Sequence, residues 1–167
     1  VDLSRYRPGE PERRYAADLA YMGTYAPDRQ PGLERLLSGP ASRHPERSFI
    51  VAGPQYPGEI AWPENVRRFE HVGPADHPAF YSSADWQLNL TRADMRAAGW
   101  SPSVRLFEAA ACGVPIISDP WPGLEEVMTP GEEVLVAASG EDVLRHLRDL
   151  PEARRRARGA AGRRRVL

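Results

Sequence analysis

Residues 86–126, WQLNLTRADMRAAGWSPSVRLFEAAACGVPIISDPWPGLEE, constrain the fold more than any other part of the chain. They read as a short apolar strand at 86–91, a polar loop, a turn rich in Ser, Gly and Pro, and an amphipathic helix at 102–112. A second apolar strand follows at 115–119. Strand, loop, helix start and strand in that order is how an α/β sheet builds a crevice for a phosphorylated ligand, with free helix-start amides facing the anion.

The rest of the chain repeats the alternation. Further strands are expected at 18–22, 48–52, 66–72 and 133–137, and further helices at 31–38, 77–83, 123–128, 139–150 and 151–167. The run SFIVA, closed by Gly53 and Pro54, has the pattern of a strand buried on both faces. Ser139 with Asp142 three residues on matches a helix-capping box. The expected fold class is α/β, a doubly wound, mostly parallel, Rossmann-like sheet. A chain of 167 residues suits one such domain. Residues 18–167 are its expected extent; residues 1–17, polar with two prolines, read as a linker or N-terminal extension. Both ends look cut from a longer protein.

Composition excludes several partners. The formal net charge is −1, which makes no overall case for nucleic acid or an anionic membrane. No apolar run approaches the ~20 residues of a transmembrane helix, and the start has no signal-peptide pattern. A single cysteine, Cys112, cannot form an internal disulfide and suits a reducing cytoplasm. All 22 basic residues are arginine, so an anion site must use planar guanidinium forks. The tail EARRRARGAAGRRR invites a nucleic-acid reading. Its arginines spread round a helix behind Asp149 and Glu152, however, and a solvated surface is the better account.

The chemistry concentrates where the 102–112 helix begins. Ser101, Pro102 and Ser103 open it, so free N–H groups and the positive end of the dipole face the crevice. Glu108, about one and a half turns along, can reach a ribose diol and accept two hydroxyl hydrogen bonds. The alternative is an ordinary Ser103 N-cap and a solvated Glu108, against which the flanking Phe107, Ala109, Ala110 and Ala111 argue. No Asp-x-Asp pair is present, and His44, His71, His77 and His146 have no ligand spacing with Cys112 or carboxylates, so no metal site is expected. His71 and His77, flanking a Gly-Pro turn, read as loop histidines with ligand or base roles as the alternative. Cys112 reads as a small buried hydrophobe.

The run FEAAACGVPIISD is similar to the (F/L)EAxAxGxPVI(A/S) signature of retaining glycosyltransferases of the GT-B fold. The chain as a whole resembles the C-terminal half of CgeB (spore maturation) type glycosyltransferase-like proteins, within the glycosyl transferases group 1. The likeness runs through DLAYMGTYAPDRQ, FIVAGPQYP, HVGPADHPAFYSSAD, LNLTRADM, SPSVRLFEAAACG, PIISD and EEVLVAAS.

That resemblance implies a nucleotide-diphospho-sugar donor as substrate, no cofactor, an unknown acceptor, and an N-terminal GT-B domain outside this chain. It implies that Glu108 holds the ribose and that Val72 and Gly73 meet the base edge through their backbone. Gly23, Thr24 and Arg29 lie where relatives have Gly-Arg and a Lys five residues on, a basic pair for the diphosphate; Thr24 has lost the first charge and Arg29 keeps the second. Arg105 and Arg92 could supply the missing charge, with Ser101 and Ser103 amides helping. Many retaining relatives carry a second glutamate eight positions before the ribose glutamate, and here that position is Trp100. The departure leaves a catalytically degenerate binding or structural module, or a sugar-nucleotide epimerase-like protein, as alternatives to a hexosyltransferase-type enzyme.

Overall fold

A computed structural model describes residues 1–99 and 102–167. Six strands form one sheet: β1 (Ala17–Met22), β2 (Phe49–Ala52), β3 (Val66–Phe69), β4 (Ala84–Asn89), β5 (Ile116–Ser118) and β6 (Leu135–Val136). Their order is β3-β2-β1-β4-β5-β6 and every pairing is parallel. The order reverses between β1 and β4, so the connections leaving these two strands diverge and open a crevice at their carboxyl ends.

Helices cover both faces. On one lie α1 (Gln30–Leu33), a π-helical turn (Glu34–Ser38) and α2 (Gly39–Arg43), which run on without interruption, together with α7 (Gly140–Asp149). On the other lie α3 (His77–Ser83), α5 (Val104–Ala111) and α8 (Glu152–Val166). Two short helices, α4 (Ala93–Ala98) and α6 (Leu124–Val127), sit in loops that follow β4 and β5. The alternation of β1 assigns its residues to two cores: Leu19 and Tyr21 join Leu33, Leu36, Val143 and Leu147, while Ala20 and Met22 join Phe80, Leu106 and Ala110.

The first face is packed with large aliphatic side chains. The second combines large side chains, Ile50, Phe80, Leu106 and Ile116, with alanines, Ala17, Ala20 and Ala52 on the sheet side and Ala109, Ala110 and Ala111 on α5, small residues that let the helix lie close. The same economy continues outward: α8 crosses α5 at Gly159 and Gly162, and a Cβ on Gly159 would collide with the carbonyl oxygen of Gly113.

Several elements differ from their sequence-based bounds. The helix expected at 31–38 continues to Arg43, because the π-helical turn resets the carbonyl ladder ahead of Pro40, whose nitrogen has no hydrogen to donate. β3 stops at Phe69, which leaves Val72 in the following loop. β6 is two residues long, paired only with the three-residue β5. The expected polar loop at 92–98 contains α4, held from outside: Asp28 accepts a hydrogen bond from the Ala93 amide at 2.8 Å, and Arg96 lies 3.8 Å from Asp119. The opening residues run along α3. Tyr6 and Tyr15 are buried in the core, and the amides of Gly9 and Glu12 donate to the hydroxyls of Ser82 and Ser83.

The arginine-rich tail has a job that charge counting missed. Arg163 donates to the carbonyl of Ala111 at 3.0 Å, and Arg165 to those of Glu126 and Val127, each at 2.9 Å. These are acceptors in the last turns of α5 and α6, where helix carbonyls lack internal partners and the dipole favours a cation.

Because the α5–α8 crossing leaves no room at Gly159, Gly159→Ala is expected to destabilise the domain by about 1–3 kcal/mol, read as a lowered urea midpoint with unchanged far-ultraviolet circular dichroism.

Candidate functional site

A cleft of about 250 Å³ opens at the carboxyl ends of β1, β2 and β3. Its wall after β1 is Gly23 and Thr24, its wall after β2 is Gly53, and its far side is Val72 and His77. Arg105, from the first turn of α5, closes it. The two glycines are required by a close approach. Gly53 has φ +137°, and a Cβ there would strike the carbonyl oxygen of Gly23, so the loops after β1 and β2 touch backbone to backbone. The Tyr56 hydroxyl donates to that same Gly23 carbonyl at 3.1 Å. Arg68 lies over the Tyr56 ring at 4.1 Å while donating to the carbonyls of Val51 and Gly53, which clamps the loop after β2.

Behind Arg105 stands Glu108, buried at 6% exposure. A carboxylate in such a place needs partners, and it has two on one oxygen: the Tyr81 hydroxyl donates to Oε2 at 2.8 Å and Arg105 Nη1 at 3.3 Å. Arg105 also donates through Nε to the Met22 carbonyl at 3.3 Å, which ties the start of α5 to the end of β1. Burial and the nearby Glu108 carboxylate push the Tyr6 phenol up to about 12 and the Tyr81 phenol well above its ordinary value. Both hydroxyls therefore keep their protons.

His77 is fixed by its neighbours. Its Nε2 donates to the Val72 carbonyl at 3.2 Å and its Nδ1 accepts from the Tyr6 hydroxyl at 3.1 Å, an arrangement that fits one neutral tautomer. Burial lowers its pKa, in the same direction. His77, weighed in the sequence as a loop histidine or as a ligand or base, stands at the first position of α3 and lines the cleft. Tyr81, in an apolar stretch of α3, carries no sequence signal apart from its hydroxyl.

The expected site residues fall into three groups. Gly23, Thr24, Val72 and Arg105 share the cleft, with Glu108 directly behind it. Gly73 follows Val72 with open space around it, and Ser103 caps α5, its hydroxyl accepting from the Arg105 amide at 3.4 Å. Arg29 and Arg92 are turned to other partners: Arg29 donates to the Thr24 carbonyl at 2.5 Å, and the exposed Arg92 lies 3.6 Å from Asp28. Of the three arginines, Arg105 alone lines the cleft among the described residues. Ser101 and Trp100 lie outside the described residues. Cys112 is a buried free thiol whose pKa burial raises to about 12, the behaviour of a core side chain.

The sequence from residue 29 to residue 167 matches a protein family described as glycosyl transferase-like. The chain belongs to this family. No curated protein matches it. Its fold is that of the C-terminal domain in GT-B glycosyltransferases. It superposes on sucrose-phosphate synthase from Thermosynechococcus elongatus with a TM-score of 0.73 at 19% identity, covering 99% of this chain and 46% of that one. On T4 phage BGT in complex with its UDP-glucose substrate the TM-score is 0.75 at 10% identity, covering 99% and 47%. The chain thus spans about half the length of those proteins. It matches nearly the whole of a separately solved C-terminal domain, that of the glycosyl transferase group 1 family protein LpcC from Francisella tularensis, with TM-score 0.73, 13% identity and coverage of 99% and 96%.

At the carboxyl end of β5, Asp119 is 2% exposed and accepts from both the amide and the hydroxyl of Thr91, at 3.0 and 2.9 Å. Burial outweighs these bonds and raises its pKa from 3.8 to about 6. A carboxyl whose folded pKa lies above its unfolded one contributes stability that is complete below about pH 4 and lost as pH rises through about 6. Asp119→Asn is therefore expected to gain stability relative to the parent between pH 4 and pH 7, by on the order of 2–3 kcal/mol. Urea unfolding of both chains at the two pH values measures it; an equal difference at both would refute it.

Proposed function

We propose that this chain is the donor-binding half of a GT-B glycosyltransferase, CgeB-like in type, that moves a hexose from a nucleotide-diphospho-sugar to an acceptor. The observation that carries this reading is the cleft at the carboxyl ends of β1 to β3, closed by Arg105 and backed by the buried Glu108. Glu108 holds the ribose hydroxyls. The Val72 and Gly73 backbone meets the base, and the Gly23–Thr24 turn lies beside the diphosphate with Arg105. Arg29 and Arg92 stand at the edge as a reserve of positive charge, released when their present partners give way.

Chemistry at such a site is charge stabilisation and positioning. The bond from the anomeric carbon to the diphosphate oxygen breaks, the acceptor attacks that carbon, and the nucleoside diphosphate leaves with the added negative charge. A guanidinium and helix-start amides meet that charge without a metal ion. Retention of anomeric configuration follows from the sequence signature around Glu108. The acceptor approaches from a preceding N-terminal domain, so this chain alone binds donor and transfers nothing. A cytoplasmic location fits a chain whose one cysteine is a buried free thiol, and no helix among the described residues is long and apolar enough to cross a membrane. Trp100, standing where many relatives have a carboxylate, favours a second reading: a domain that keeps donor binding or only the fold, serving as a binding module or in epimerase-like chemistry.

Calorimetric titration with UDP-, GDP-, ADP- and dTDP-sugars tests the donor site. Binding of one nucleotide class, weakened at least tenfold by Glu108→Ala, is the expected result. A folded chain that binds none of them contradicts the donor-site reading.

A further inference from the structure

Glu108 is held through Oε2, which takes hydrogen bonds from Tyr81 at 2.8 Å and from Arg105 at 3.3 Å. The glutamate rides on α5 and the tyrosine on α3, so the bond also links the two helices that flank the cleft. Tyr81 is 2% exposed and its ring is packed edge-on against Phe80 and His77, with ring centroids 5.9 and 6.3 Å away. Its hydroxyl therefore has a fixed position from which to donate. Arg105, by contrast, is partly exposed and shares its guanidinium with the Met22 carbonyl, so its hold on Glu108 is the looser of the two.

We infer that Tyr81 is a positioning residue for ligand recognition: its hydroxyl locks Glu108 through Oε2, which makes the Tyr81–Glu108 pair the determinant of ribose over deoxyribose. The inference rests on the donor-site reading and adds to it the group that sets sugar discrimination in the nucleotide. The raised pKa of the Tyr81 phenol agrees, since the hydroxyl remains a donor at every physiological pH. A carboxylate free to rotate would still attract hydroxyls, but would lose the geometric advantage of holding two neighbouring ones at once.

The test compares binding of ribo- and 2′,3′-dideoxy-nucleoside diphosphates of uracil, guanine and adenine by the parent chain, Tyr81→Phe, Glu108→Gln and the double variant. Phenylalanine keeps the ring and its packing, so an unchanged circular dichroism spectrum and thermal midpoint within a few degrees are expected. The parent should prefer its ribonucleotide about tenfold or more. Tyr81→Phe should bind that ribonucleotide about five- to tenfold more weakly, with dideoxy binding unchanged, bringing the preference close to one. Adding Tyr81→Phe to Glu108→Gln should change nothing further. A preference that survives in Tyr81→Phe overturns the inference, as does equal weakening of both ligands. A Tyr81→Phe chain that does not fold also overturns it, because the hydroxyl then serves the core. If the parent binds no nucleotide, the donor-site reading fails and the inference falls with it; if it binds with a ribose preference that Tyr81→Phe leaves intact, only the inference fails.

Discussion

The close approach of α5 to the sheet is the constraint on which the rest of this structure depends. Alanines on both sides of the interface permit it, and the Gly113–Gly159 contact presses α8 against the outer side of α5. With small residues the helix axis comes nearer to the strands, and the groups in its first two turns come within reach of the strand ends. The Arg105 bond to the Met22 carbonyl and the Glu108 bond to Tyr81 are products of that approach. Larger residues at Ala109 or Ala110 would lift α5 and separate the site's charged pair from the cleft, whatever they did for hydrophobic area.

A carboxylate buried in that tight interface needs partners. Burying Glu108 unpaired would cost several kcal/mol. The partners are supplied from neighbouring layers, a hydroxyl from α3 and a guanidinium from one turn earlier on α5. The same logic recurs at the end of β4 and β5, where Thr91 serves Asp119 and Ser118 serves Asn89. Polar groups collect on this rim of the sheet because the strands end there and the order reverses.

Much of this architecture was legible in sequence. All six strands were expected, β2 most plainly as SFIVA closed by Gly53 and Pro54, and the capping box at Ser139 is formed as its spacing implied. Glu108 and Arg105, both singled out in the sequence and three residues apart on one helix, are in contact. What escaped was what depends on partners distant in the chain. The α4 segment has no apolar stripe of its own, and it is helical against Asp28 and Asp119. The tail arginines looked solvated because a one-dimensional pattern cannot show the carbonyls at the ends of α5 and α6 that two of them cap. Tyr81 was hidden for the same reason: a tyrosine among apolar residues is read as core until the carboxylate 27 residues away is seen beside it.

The arginines of the site divide by the company they keep, and this bears on how it would receive an anion. Arg29 is spent on a local carbonyl and Arg92 lies beside Asp28, so the cleft presents one guanidinium, Arg105, already facing a carboxylate. A free cation in so narrow a place would hold a disordered counterion shell, whereas the Arg105–Glu108 pair is nearly neutral at a distance. Under the donor-site reading, a nucleoside diphosphate resolves that pair rather than adding to it. Its ribose hydroxyls donate to the carboxylate while its phosphate oxygens accept from the guanidinium, so each partner exchanges one bond for another of like strength. Tyr81 keeps its grip on Oε2 throughout. The exchange is selective because a ligand with only the phosphate would draw Arg105 away and leave the buried Glu108 short of a partner, which is the costly state.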